Sequence, residues 1–244
     1  MSSPNLPTSQ LTHPQTRPSW PRAIVGRVSN FNAQNTPIIW IDCEMTGLNL
    51  ATDALVEIAV VITDENLNPL DAGIDLIIRP SDEAVAQMDS FVRNMHTTSG
   101  LITEWEDGLT MEDATSQVMD YIKRFVPEAR KAPLGGNSVG TDRMFINRDM
   151  PELAEHLHYR TIDVSSIKEL AKRWYPRVYF ASPTKTGGHR ALGDIYDSID
   201  ELRYYRTALF PEGEGPSSDV ARAAAKAVLS DLTETRAEAA STEA

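Results

Sequence analysis

Residues 37–48 read PIIWIDCEMTGL, and the fold follows from how this stretch is read. Ile38, Ile39, Trp40 and Ile41 form an apolar, β-branched run, which predicts a buried strand. Asp42 and Glu44 stand at the end of that strand. Side chains two apart on a strand share a face. Two carboxylates so placed repel each other, and burial sharpens the conflict. A bound divalent cation resolves it, and hard cations such as Mg²⁺ and Mn²⁺ take oxygen ligands. Taken alone, the D-x-E pattern fits a solvated strand terminus equally well.

Working outward, residues 54–63 (ALVEIAVVIT) predict a second strand, 66–69 a turn and 73–79 a third strand. Short connections between the three imply an antiparallel meander. Apolar residues at Ala114, Val118, Tyr121, Ile122 and Phe125 have helical spacing, so 111–125 is a helix. A short strand over 132–136 feeds the loop GNSVG, followed by a helix over 141–148. A strand at 161–164 leads into a helix over 165–174, with Asp163 or Ser165 as its cap. The last helix covers 190–209 and turns Leu192, Ile195, Ile199, Leu202 and Tyr205 to one side. Strands first, then alternating helix and strand, imply an α/β protein with a mixed sheet flanked by helices.

The 244 residues carry a net charge of −12. Residues 1–35 hold Arg17, Arg22 and Arg27 and no acid, so the rest is more acidic still. Binding of long polyanions normally relies on Lys and Arg displacing counterions. A nucleic-acid substrate for this chain should therefore be short or held through metal ions. No apolar run approaches the roughly 18 residues of a membrane span. Cys43 is the only cysteine, which excludes an internal disulfide and fits a reducing compartment. The Pro-, Ser- and Asn-rich residues 1–35 read as a disordered extension. An acid-free, Arg-containing start also suits a transit peptide, which would direct the protein to mitochondria. Three arginines among prolines make a poor amphipathic helix, so the cytoplasm is the expected location. From Pro211 the composition turns to Gly, Pro, Glu and Ala. Residues 211–244 read as a mostly disordered acidic tail with a marginal helix over 221–232.

Three further residues complete a constellation. Asp142 follows GNSVGT at the start of a predicted helix, where an acid is also ordinary helix-dipole chemistry. Asp194 lies in the last helix, and His189 precedes that helix after Gly187 and Gly188. A histidine on a flexible segment near clustered acids is suited to general-base work. D-x-E, then D, then H-x₄-D is the pattern of the DEDDh exonucleases, which are ribonuclease-H-like. The likeness is closest to the oligoribonucleases. It is carried by WIDCEMTGL (40–48), HTTSGL (96–101), GNSVGTDRMF (135–145 with its preceding glycine), MPELAEHLHYRTIDVSSIKELAKRWYP (150–176) and HRALGDIYDSIDELRYYR (189–206). It spans 37–210, and RWYPRVYF with the alanine-rich tail resembles actinobacterial members.

The resemblance implies a ribonuclease-H-like sheet of five or six strands in an exonuclease domain over 36–210. It implies that Asp42, Glu44, Asp142 and Asp194 hold two divalent cations, Mg²⁺ or Mn²⁺, and that His189 takes a proton from water. The implied activity is 3′→5′ hydrolysis of very short RNA, dinucleotides above all, to nucleoside 5′-monophosphates. Leu48 and Phe91 match residues that pack on bases, Phe91 standing where relatives often have Trp. Ser138, Arg160 and Ser165 match a cap over the 5′ phosphate, and His96 and Tyr159 match other pocket residues. Read alone, Phe91 fits core packing and Arg160 a solvated surface. The family's homodimer would bring Tyr159 and Arg160 to the partner's site. Two competing readings are a DEDDh exonuclease acting on longer RNA or DNA and a non-catalytic RNA-binding protein. The acidic balance counts against the first, and the presence of all five residues against the second.

Overall fold

In the computed structural model the described residues are 36–186, 188–213 and 215–242, with side chains up to 230. The extension expected over 1–35 lies outside the described residues. Three strands come first: β1 (Ile38–Met45), β2 (Leu55–Thr63) and β3 (Ile74–Ile77). Then follow α1 (Asp82–Gln87), α2 (Ser90–Ser99), a 3₁₀ segment (Leu101–Asp107) and α3 (Met111–Phe125). Strand β4 (Leu134–Gly136) leads to α4 (Gly140–Asp149) and α5 (Pro151–His156), and β5 (Thr161–Asp163) to α6 (Val164–Trp174) and α7 (Pro176–Phe180). Helices α8 (Ala191–Leu209) and α9 (Ser218–Thr242) complete the order.

The five strands form one sheet in the order β3-β2-β1-β4-β5. β1, β2 and β3 are the expected antiparallel meander, while β4 and β5 run parallel to β1. The sheet is thus mixed, with β1 at its centre. β1 runs on through both acids, which stand on its end as expected, to Met45. β2 pairs along that whole length, setting Asp42 against Ala59 and Glu44 against Glu57. Cys43 and Met45 are buried on the opposite face, which holds the strand down between and after the acids.

Alternation along β1 divides the interior in two. Ile39, Ile41, Cys43 and Met45 pack with Val118, Ile122, Phe145 and Leu153 from α3, α4 and α5. Ile38 and Trp40 pack with Val164, Ala171, Ile195, Ile199 and Tyr205 from α6 and α8. Asp42 and Glu44 continue the second face, so they point towards α8. A smaller cluster of Val56, Met88, Leu101 and Trp105 sits under the segment 80–108, to which sequence periodicity assigns no elements. Those short helices depend on caps: Ser81 and Asp89 accept from the first-turn amides of α1 and α2, and Gly100 ends α2 at φ 82°.

Residues 218–242 form one helix, longer than the marginal helix expected over 221–232, and its side chains up to 230 are exposed. Alanine-rich sequence with Arg and Lys has high intrinsic helix propensity, and Asp219 pairs with Arg222 at 2.6 Å. Local propensity rather than burial therefore supports this helix. No helix among the described residues is long and apolar enough to cross a membrane.

Gly135 in β4 passes close against β1. A Cβ there would lie 2.8 Å from Ile38 Cγ2 and 3.1 Å from the Trp40 ring. Gly135→Ala should therefore overpack this face and cost about 1–3 kcal/mol. A urea unfolding midpoint matching wild type would show that the strands can separate without loss.

Candidate active site

Four acids reach one end of β1 from three elements. Asp42 and Glu44 come from β1, Asp142 from the first turn of α4 and Asp194 from the first turn of α8. Asp142 is buried, and its Oδ1 accepts from the Cys43 amide at 3.0 Å. That bond ties the start of α4 to the strand residue between the two other acids. His189 precedes α8 with φ 60° and is exposed. One ligand atom from each of Glu44, His189 and Asp194 lies within 4.8 Å of the others, a group that could hold a metal ion.

The electrostatics of the cluster favour a bound cation. Burial, then the charges of Asp142, Asp194 and Glu44, push the Asp42 carboxyl up to about 9, with Lys185 opposing. Burial and Glu57 lead in pushing Glu44 up to about 8, with Arg190 opposing. Asp142 is raised by burial to about 6, its rise checked by backbone amides including that of Cys43. Asp194 is raised mainly by burial, with Lys185 and His189 opposing. The carboxylates are hard oxygen donors, suited to a divalent cation. The Cys43 thiol adds no soft ligand, since it is buried with the opposite core and its pKa is held well above the usual range, chiefly by burial.

The expected substrate residues fall on several separate elements. Ser138 and Ser165 do come together, with Oγ atoms 3.0 Å apart. Asp163 caps α6 and accepts from both their amides, at 3.0 and 2.9 Å. Ser138 has φ 54°, a strained turn held by that cap. Ser165 also donates to Asn137, whose amide reaches Ser198 and Glu201 of α8. Leu48 and Phe91 are exposed at 75% and 76%, so Phe91 is not a core residue. Tyr159 and Arg160 stand on the exposed turn between α5 and β5, the guanidinium over the ring at 5.4 Å. His96 is fully buried, with Nε2 2.8 Å from the Met45 carbonyl and Nδ1 without a partner. As placed, it props the end of β1 and meets no solvent.

Sequence reading missed Glu57, Glu104, Asn137 and Glu201. Glu57 had one available signal, a lone acid within the apolar strand LVEIAVVIT. Its carboxyl is fully buried and accepts from Arg190.

The raised carboxyl groups set the pH dependence of the metal-free protein. Asp42 and Glu44 titrate near 9 and 8 in the folded chain, against about 4 when unfolded. Their stabilising contribution is complete below the unfolded value and is lost as pH rises through the folded ones. The melting temperature of chelator-treated protein should therefore fall between about pH 6 and 9. Asp42→Asn should remove much of that fall, and added Mn²⁺ should reverse it. A melting temperature flat across this range would contradict the crowding of the acids.

Comparison with known proteins fits this arrangement. The RNase_T family model, described as exonuclease, matches residues 39–202. The oligoribonuclease of Streptomyces coelicolor is 58% identical over 197 residues, 80% of this chain and 98% of that protein. The oligoribonuclease of Leifsonia xyli subsp. xyli is 56% identical over 196 residues, 80% of this chain and 95% of that protein. Among solved structures, the zinc-bound form of the E. coli exonuclease I–single-stranded DNA complex superposes with a TM-score of 0.56 at 14% identity. It covers 72% of this chain and 41% of that one. Exonuclease I of Methylocaldum szegediense gives 0.51 at 17% identity, over 71% and 41%. The chain thus spans about two fifths of the exonuclease I chains, and at these identities they share its fold alone. With more than half of its length matched by the exonuclease model and close relatives aligned almost end to end, this chain belongs to the oligoribonuclease family.

Proposed function

We propose that the protein is a 3′→5′ exoribonuclease that hydrolyses very short oligoribonucleotides, dinucleotides above all, to nucleoside 5′-monophosphates. The observation that carries this reading is the meeting of Glu44, His189 and Asp194 beside half-buried Asp42 and buried Asp142, in a chain of this family. Asp42, Glu44, Asp142 and Asp194 would hold two divalent cations, Mg²⁺ or Mn²⁺. When bound, the cations supply positive charge against the phosphodiester and make water more acidic. His189 accepts the proton of the attacking water. Its exposure and its place after Gly188 let the imidazole approach from the open side. As water adds to phosphorus, the bond to the 3′ oxygen of the preceding nucleotide breaks. The released nucleotide keeps the phosphate on its 5′ oxygen.

Leu48 and Phe91 stack on bases, which accounts for a lack of sequence choice. The Ser138–Ser165 pair, with Arg160 from a partner subunit, caps the 5′ phosphate and favours substrates that end there. Arg suits this task through its planar donor fork. Exposed Trp174, Tyr175 and Phe180 on α6 and α7 form an apolar surface suited to a second copy of the chain, which supports a homodimer. We place the protein in the cytoplasm, on its single buried cysteine. The grouping of His189 with two acids favours one other reading, in which His189 is itself a metal ligand.

His189→Ala should lower kcat by about 10²–10⁴. Calorimetric Mn²⁺ binding should be retained if His189 is the base and weakened if it is a ligand. Loss of a metal site in this variant would decide for the ligand.

Arg160→Ala should lose about 1.5–3 kcal/mol of charge-assisted phosphate contact. Dinucleotide kcat/KM should fall tenfold to a hundredfold or more, while longer RNA loses much less. Heterodimers of wild type with an Arg160→Ala/Asp42→Ala chain keep one intact acid site. That site should lose dinucleotide activity if Arg160 acts across the interface, and full activity would place it within its own subunit.

A further inference from the structure

The residue after His189 is held more firmly than the residues before it. Arg190 Nε donates to Glu57 Oε1 at 2.8 Å. Its two terminal nitrogens donate to Glu104 Oε1 and Oε2 at 2.8 and 3.2 Å. Asp75 lies 4.0 Å from the same guanidinium. The other Glu57 oxygen accepts from the Ala191 amide at 3.1 Å. Glu57 thus binds a side chain and a backbone amide on consecutive residues, at the point where α8 begins. It has no exposed surface and sits opposite Glu44 in the β1–β2 register.

On the other side of His189 the chain is tied to α8 three residues away, where Thr186 donates from its amide and its hydroxyl to Asp197 at 2.5 and 3.1 Å. Residues 183–186 and Gly188 are exposed. Gly188 and His189 both have left-handed φ, 67° and 60°. A non-glycine residue keeps that conformation only where its surroundings impose it. The N-cap residue of α8, Arg190, makes no cap bond of its own, and the Ala191 amide is satisfied by Glu57 instead. Arg190 is the anchored residue directly next to His189, so the direction of the His189 side chain is set chiefly from its C-terminal side. A buried ion-pair network contributes little net stability compared with apolar packing, whereas its fixed geometry specifies one arrangement.

We propose that Arg190, clamped between Glu57 and Glu104, is the positioning residue that fixes His189 beside Glu44 and Asp194. The clamp acts through His189 and itself touches neither RNA nor ion. The claim rests on the reading of His189 as the group that takes the proton.

Glu104→Gln tests the clamp at its outer, part-exposed anchor, remote from the four acids. Arg190→Lys tests its centre, because a lysine cannot hold both carboxylates in the same fork. In metal-free protein, the imidazole NMR signals of His189 should shift and broaden in Glu104→Gln, while those of buried His96 and His156 stay in place. On a dinucleotide with Mn²⁺, Glu104→Gln should lower kcat about threefold to tenfold and Arg190→Lys about a hundredfold, with KM little changed. In a His189→Ala background Glu104→Gln should have no further effect on kcat, since both changes remove the same contribution. An unshifted His189 signal, or an equal loss of kcat in both backgrounds, would overturn the proposal. Failure of the proton-acceptor reading gives a different result: His189→Ala keeps its kcat while the His189 signal still responds to Glu104→Gln. Arg190→Lys protein that melts as wild type but loses kcat supports the clamp even if Arg190→Met fails to fold.

Discussion

Asp42, Glu44, Asp142 and Asp194 bring four carboxylates into a space too dry for all of them to ionise together. Burial is the largest cause of each raised pKa; the other acids of the cluster add to it for Asp42 and Glu44, and neighbouring acids outside the cluster add to it for Asp142 and Asp194. The surrounding architecture limits this cost without removing it. α4 and α8 both begin at the cluster, so the positive ends of two helices face it. The Cys43 amide gives Asp142 a fixed donor. Lys185 and Arg190 are the opposing cations, and Arg190 is already engaged by Glu57 and Glu104. A deficit of positive charge remains, and divalent ions are the simplest way to fill it.

The same strand that creates the conflict also anchors the interior. One face of β1 ends in Cys43 and Met45, packed over α3, α4 and α5. The other begins with Ile38 and Trp40 and ends in the acids. Trp40 donates to Thr63 at 3.0 Å, so even this large buried ring has its polar atom satisfied. The acids are therefore an extension of a core face, and their spacing is as fixed as that of the core. α8 packs along that face and returns Asp194 to it.

Much of this was legible in the sequence because its signals are local. Alternation and β-branched runs mark β1 and β2, and apolar spacing marks α3 and α8 with nearly correct ends. The D-x-E spacing placed Asp42 and Glu44 on one face without any need of the fold. Asp142 and Asp194 could not be placed beside them by spacing, because contacts 50 to 150 residues apart leave no periodic trace; the family resemblance supplied that grouping. The short helices of 82–107 were illegible because they are built from caps and a small satellite core, not from an amphipathic stripe. Glu57 was hidden for a similar reason. A buried acid takes its meaning from the partner across the fold, here Arg190, 133 residues away. The burial of His96 was equally unreadable, since nothing local distinguishes a prop under a strand from a residue in a pocket.

The two halves of the sheet are joined very unequally. β2 follows β1 along its whole length, from Ile38 to Met45. β4 pairs with β1 at Ile39 and Trp40 alone, and it leaves the sheet before reaching the acids. Ser138 sits on the turn beyond β4 and Ser165 in the first turn of α6 beyond β5, whereas the D-x-E pair sits on the long strand β1. An insertion or exchange after β4 or β5 would therefore reshape what surrounds the centre and leave its spacing intact. Exonuclease I chains, in which the matched part is only 41% of the length, share this fold at 13–17% identity. Such a scaffold lets selectivity diversify over evolution while the chemistry stays where it is.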